Sequence, residues 1–249
     1  GVRVLETGKD AWLDAIRESL AWCDAGDTGV APALPLARRT ATWRSYADIG
    51  PSQRLVRRGG QGPGCPLVFL HGEMSSSRVV LPLATAVGAT RPYVALDVAG
   101  NGESDALGDN ATLADYAADV GAVLRAAGID FYDLYGEGAG AALALDLAAQ
   151  DGDRVGKVVL DQPVLPDDDA RADLLAHFAP SIEAKWDGSH WLTAWHMVRD
   201  RSFFWPWYHR SQDAIRWRDP ALDPVDLQVR LLDWLKGRAT YGDYVRACL

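Results

Sequence analysis

The stretch DLYGEGAGAALALDLAAQ, Asp133 to Gln150, decides how this chain is read. An apolar run ends in three glycines at two-residue spacing, Gly136, Gly138 and Gly140, and an Ala/Leu-rich run follows. That pattern predicts a buried strand, a turn too tight for large side chains, and a helix. Working outward, PLVFL (Pro66 to Leu70), YVALD (Tyr93 to Asp97) and VGKVVLD (Val155 to Asp161) are further short apolar runs. Helical patterns such as TLADYAADVGAVLRAAG, with Thr112 as its N-cap and a glycine stop, separate them. Short buried strands alternating with helices define βαβ units and a parallel sheet.

The chain has 249 residues, enough for one large α/β domain or a core with an insertion. Its net charge of −9 argues against a polyanionic partner, so neither nucleic acid nor an anionic membrane is expected. Cys23, Cys65 and Cys248 show no metal-ligand spacing and read as reduced thiols. With no signal peptide evident and no apolar run long enough to span a bilayer, the expected location is cytoplasmic.

Three boundaries organise the chain. Residues 1–52 read as an N-terminal extension with an amphipathic helix around Trp12, Ile16 and Leu20, then irregular chain with one or two short edge strands. Residues 53–164 carry the α/β core. Residues 165–249 hold seven of the ten tryptophans and helical patterning without a convincing strand. They read as a Trp-rich helical cap over a pocket at the carboxyl ends of the strands.

Three consecutive strand-to-helix turns carry the chemical signal. His71-Gly72 follows one strand, DVAGNGES (Asp97 to Ser104) follows the next, and GEGAG follows the third. In this order they resemble the α/β-hydrolase fold superfamily over roughly Gln53 to Pro163. The resemblance implies a parallel-rich sheet flanked by helices, a G-x-nucleophile-x-G elbow and an oxyanion hole. Gly136 and Gly140 take the flanking small positions, so the nucleophile position falls on Gly138, which has no reactive side chain. The implied oxyanion donors are the Ala139 N–H and a donor at Glu73 or Met74. The implied triad acid falls on Asp161. The general-base histidine belongs after a later strand, and the expectation is that the C-terminal strands are absent from this chain. A homodimer, or a second polypeptide completing the fold, is therefore an open partner expectation.

Other residues are weighed beside that frame. His71 either shapes the oxyanion loop or takes part directly. Glu137, beside the elbow, is a carboxylate base or a structural hydrogen-bond partner. Trp191, Trp195 and His196 are candidates for binding substrate, against the plainer reading of cap core. His196 and Asp200 share a helix face, which reads as a salt bridge rather than a metal site, and no cofactor or metal is expected. Three functions stay open: a lyase, cyclase or hydratase acting on a small, partly aromatic molecule without a covalent serine; a non-catalytic small-molecule-binding protein; and a serine-type hydrolase seen as a fragment or as a nucleophile variant.

Overall fold

A computed structural model describes residues 42–249; the N-terminal amphipathic helix expected from sequence, and Cys23, lie outside the described residues. Six strands form one mixed sheet: β1 (Trp43–Ile49), β2 (Ser52–Gly59), β3 (Leu67–Leu70), β4 (Tyr93–Leu96), β5 (Tyr132–Glu137) and β6 (Val155–Asp161). Their spatial order is β1-β2-β4-β3-β5-β6. β1–β2 and β2–β4 pair antiparallel, while β4, β3, β5 and β6 run parallel. Seven α-helices accompany them: α1 (Ser77–Val87), α2 (Leu113–Ala126), α3 (Ala139–Asp151), α4 (Asp168–His177), α5 (Ser189–Phe203), α6 (Pro224–Lys236) and α7 (Tyr241–Cys248).

The parallel strands β3, β4 and β5 are buried on both faces, which explains their apolar runs, while the edge strand β6 leaves Val159 and Leu160 exposed. Val68, Leu70, Val94, Leu96 and Leu134 pack with α2 and α3 in one cluster. Phe69, Tyr93, Ala95 and Tyr135 pack with Val80 and Ala84 of α1 in another. The two sets alternate along each strand, as the pleat requires. The local signals agree with the elements formed: Thr112 and Asp115 make a reciprocal capping box on α2, and Asp223 caps α6 with Pro224 in its first turn.

One strand departs from its sequence reading. β1 and β2 form in the chain read as irregular with one or two short edge strands; β1 is an edge, but β2 lies inside the main sheet between β1 and β4. Polar residues disguised β2. Arg54, 2% exposed, forms a two-pronged pair with Asp119 of α2, Nε–Oδ2 and Nη2–Oδ1 both 2.9 Å. Arg57 is buried against Asp97, 3.1 Å away. Each guanidinium can be buried because a carboxylate meets it.

Helices α4 to α7 build a second cluster around Leu174, Phe178, Met197, Trp207, Leu231 and Trp234. Met74, from the loop after β3, inserts into it. Ser76 Oγ donates to Asp233 of α6 at 2.7 Å. Tyr244 of α7 reaches into the sheet core beside Tyr116. No helix among the described residues is long and apolar enough to cross a membrane.

Candidate active site at the strand-to-helix elbow

At the end of β5 the backbone turns through Gly138, with φ +55° and ψ −118°, directly into α3. Close approach explains the flanking glycines. A Cβ on Gly136 would lie 2.1 Å from the Gly140 carbonyl oxygen, and one on Gly140 would lie 2.2 Å from that of Leu70. The Gly138 N–H donates to the Asp161 carbonyl at 2.9 Å, tying the elbow to the end of β6.

The loop after β3 faces this elbow and is held by His71. The ring is fully buried. Nε2 accepts from the Val98 N–H at 3.0 Å, so Nδ1 carries the proton and donates it to the Gly72 carbonyl at 2.8 Å. Burial lowers the pKa of the imidazole and favours this neutral form. With both nitrogens engaged by backbone, His71 ties the β3 and β4 loops together. The neighbouring turn is built on Asp97, whose carboxylate accepts from the Ser77 and Glu103 N–H groups at 2.9 Å each, while Ser104 Oγ donates to its carbonyl at 2.7 Å.

Glu73 was expected here for its backbone, and it is the side chain that reaches the elbow. It is 5% exposed and its side chain projects onto the elbow. Oε2 accepts from the Ala139 N–H at 3.0 Å, and Oε1 pairs with the Arg201 guanidinium of α5. Arg201 also donates to the Glu73 carbonyl at 3.3 Å. A Cβ on Gly138 would stand 2.5 Å from Oε2. The protein's own carboxylate therefore occupies the space of an elbow side chain and takes up the Ala139 N–H, at the positive end of a helix. The Ala139 N–H, expected to face a substrate, faces Glu73 instead. Met74, the other expected donor residue, has φ +51° and buries its side chain under the cap helices.

A cleft of about 1010 Å³ opens over Glu73, Glu137 and Gly138. Its other walls come from the segment after β6 and from α4, α5 and α6, and include Trp205, Trp234, Arg201, Arg216 and Arg230. Burial raises the pKa of the Glu137 carboxyl above the usual carboxylate value; Glu73 pushes in the same direction and Arg201 opposes it. Asp161 lies beside this group, with its Oδ2 accepting from Tyr135 Oη at 2.5 Å.

Glu73, Glu137, Gly138 and Ala139 thus meet at the elbow, with Asp161 opposite Glu137 on the neighbouring strand. Trp191, Trp195 and His196 do not border the cleft. Trp191 is 47% exposed, because α5 turns Ala194, Met197 and Val198 inward. Asp200 pairs with Arg199 and Arg210 rather than His196. Among the described residues no group of three or more His, Cys, Asp and Glu is placed to hold a metal. The arginines went unread in the sequence. They stand far apart in the chain, and no spacing rule links Arg201, Arg216 and Arg230.

Comparison with known proteins agrees with this architecture. The family model for the alpha/beta hydrolase fold matches residues 66–187. Cfl2 from Burkholderia cenocepacia superposes with a TM-score of 0.60 at 19% identity, over 85% of this chain and 74% of that one. Haloalkane dehalogenase DatA from Agrobacterium tumefaciens gives 0.57 at 20% identity, over 84% and 66%. N-acyl homoserine lactonase AidH, complexed with N-butanoyl homoserine, gives 0.57 at 17%, over 82% and 67%. No curated protein matches the chain. Fold, elbow and family model together define the class: the described residues have an α/β-hydrolase-like fold.

Proposed function

We propose that this chain is an enzyme that transfers protons between carboxylates and a small, partly apolar molecule, with no covalent intermediate at the elbow. The observation that carries the reading is Glu73 standing where an elbow nucleophile would project, with Glu137 beside it at the same cleft. Gly138 offers no nucleophilic atom. Glu137, whose protonated form is favoured by burial, serves as the acid, and Glu73 is the partner carboxylate. In a dehydration, Glu73 takes the proton from carbon while Glu137 gives its proton to the departing hydroxyl. Water leaves, a double bond forms, and exchange with solvent restores both groups. Hydration is the same sequence reversed.

The test is a proton-NMR screen in D2O against small hydroxy and α,β-unsaturated carbonyl compounds. Wild-type protein is expected to exchange or consume a member of the panel, and Glu137→Gln to slow that reaction about 100-fold or more. A fluorophosphonate is expected to leave the elbow peptide unlabelled. Undiminished turnover in Glu137→Gln removes the acid, and labelling of the elbow removes the non-covalent mechanism. The Glu73–Arg201 pair, which closes the elbow from within, favours a second reading, a receptor for a small molecule. Saturable binding without turnover distinguishes it.

A further inference from the structure

We propose that the cleft takes a small organic acid whose carboxylate is drawn to the open guanidinium groups of Arg216 and Arg230, with its apolar body against Trp205 and Trp234. The proposal rests on the reading that this cleft is the small-molecule site. It deepens that reading by naming what is bound.

Three half-buried or better shielded guanidinium groups line one cleft, and only one has an acidic partner in contact. Arg201 is met by Glu73. Arg230, on α6, makes no hydrogen bond and no ion pair among the described residues, although it is partly buried. Among the described residues the Arg216 guanidinium donates only to the Arg201 carbonyl, at 3.3 Å, and it lies 5.8 Å over the Trp205 ring. Arg201 stands close enough to act on both: burial lowers the guanidinium pKa of Arg216 and Arg230, the charge of Arg201 lowers each further, and Arg218 adds to the effect on Arg216. Arranging like charges out of water is costly unless something answers them.

The carboxylates nearby do not answer them in this structure. Glu137 acts on Arg230 electrostatically, but its burial favours the uncharged form. Asp233 accepts from Ser76 and is likewise pushed toward its neutral form by burial. Asp226 is exposed and sits in the first turn of α6. At the other end of the cleft Asp173 is engaged by Tyr208, His177 and His209, and Asp169 and Asp219 are exposed. A bound oxyanion meets the two open guanidinium forks directly, and planar carboxylate matches that geometry. Trp205 and Trp234 supply an apolar wall beside it. Glu73 and Glu137 lie on the same cleft, so an acid anchored by the arginines presents its carbon skeleton to both.

Calorimetric titration of the purified chain with phenylacetate, benzoate and hexanoate, each against its amide, tests this. At least one acid is expected to bind about tenfold tighter than its amide. Arg216→Met and Arg230→Met are each expected to weaken that acid about tenfold to a hundredfold while leaving the amide unchanged. Should either variant fail to fold, Arg216→Lys or Arg230→Lys takes its place. Rising salt must also weaken the acid and not the amide in the wild-type protein. No acid binding, equal affinity for acid and amide, or an acid affinity untouched in both variants overturns the proposal. Acid binding retained while every compound goes unturned removes the proton-transfer reading and keeps this one. Turnover of neutral compounds with no preference for acids does the reverse.

Discussion

Placing a methyl group on Gly138 puts the position of Glu73 to a quantitative test. At φ +55° and ψ −118° an L residue is strained, a cost of about 1–3 kcal/mol. The new Cβ would lie 2.5 Å from Glu73 Oε2, so the carboxylate has to move away. That move gives up the 3.0 Å hydrogen bond from the Ala139 N–H, and a bond to a charged group contributes about 1.5–3 kcal/mol. Gly138→Ala is therefore expected to lower the unfolding free energy by about 2.5–6 kcal/mol. In a Glu73→Ala background there is no carboxylate to displace, and only the backbone cost of about 1–3 kcal/mol remains. The coupling between the two positions is then about 1.5–3 kcal/mol. Urea unfolding of the four proteins, followed by circular dichroism and tryptophan fluorescence, measures it, provided the denaturant slopes agree. If Gly138→Ala costs the same in both backgrounds, within about 0.5 kcal/mol, Glu73 does not stand in the elbow's side-chain place.

Two further outcomes follow from buried charges. Asp119→Ala leaves the Arg54 guanidinium buried beneath α2 without its carboxylate and is expected to cost about 3–5 kcal/mol. The joint change Arg54→Met with Asp119→Leu should recover most of that loss, and denaturation showing no recovery would contradict the pairing. For Glu137 the sign is opposite to that of a salt-bridged carboxylate. Its raised pKa means that the folded state holds the proton more tightly than the unfolded chain does. Stability relative to Glu137→Gln therefore falls as pH rises from the ordinary carboxylate value, about 4.3, through the raised folded value. Above that window Glu137→Gln is expected to be the more stable protein, and below about pH 4 the two should converge. A stability gap independent of pH between 4 and 8 would argue that the Glu137 carboxyl is not desolvated.

What the amino-acid sequence determined by itself is the frame. β3, β4 and β5 are legible because strands buried on both faces need apolar residues, and β6 by its own short apolar run although it lies exposed at the sheet edge. The elbow is legible because backbone packs where Cβ atoms would stand at Gly136 and Gly140, so glycine is demanded there by local geometry. The absence of a nucleophile at residue 138 can be read in the same letters. β2 was hidden, since Arg54 and Arg57 look like surface residues until Asp119 and Asp97 arrive from far along the chain.

The contents of the site were decided only by tertiary structure. Glu73 was expected near a substrate's oxyanion, and the fold instead aims its side chain at the elbow and clamps it with Arg201, 128 residues away. Trp191 was expected in the pocket, but the inward face of α5 belongs to Ala194, Met197 and Val198, and the aromatic wall falls to Trp205 and Trp234. Burial and the pairing of charges depend on which segments meet, and the separations involved leave no periodic trace for a single sequence to reveal. The strand-to-helix turn announces where chemistry can happen. The packing of helices α4 to α7 determines which carboxylates and guanidinium groups line the cleft beside it.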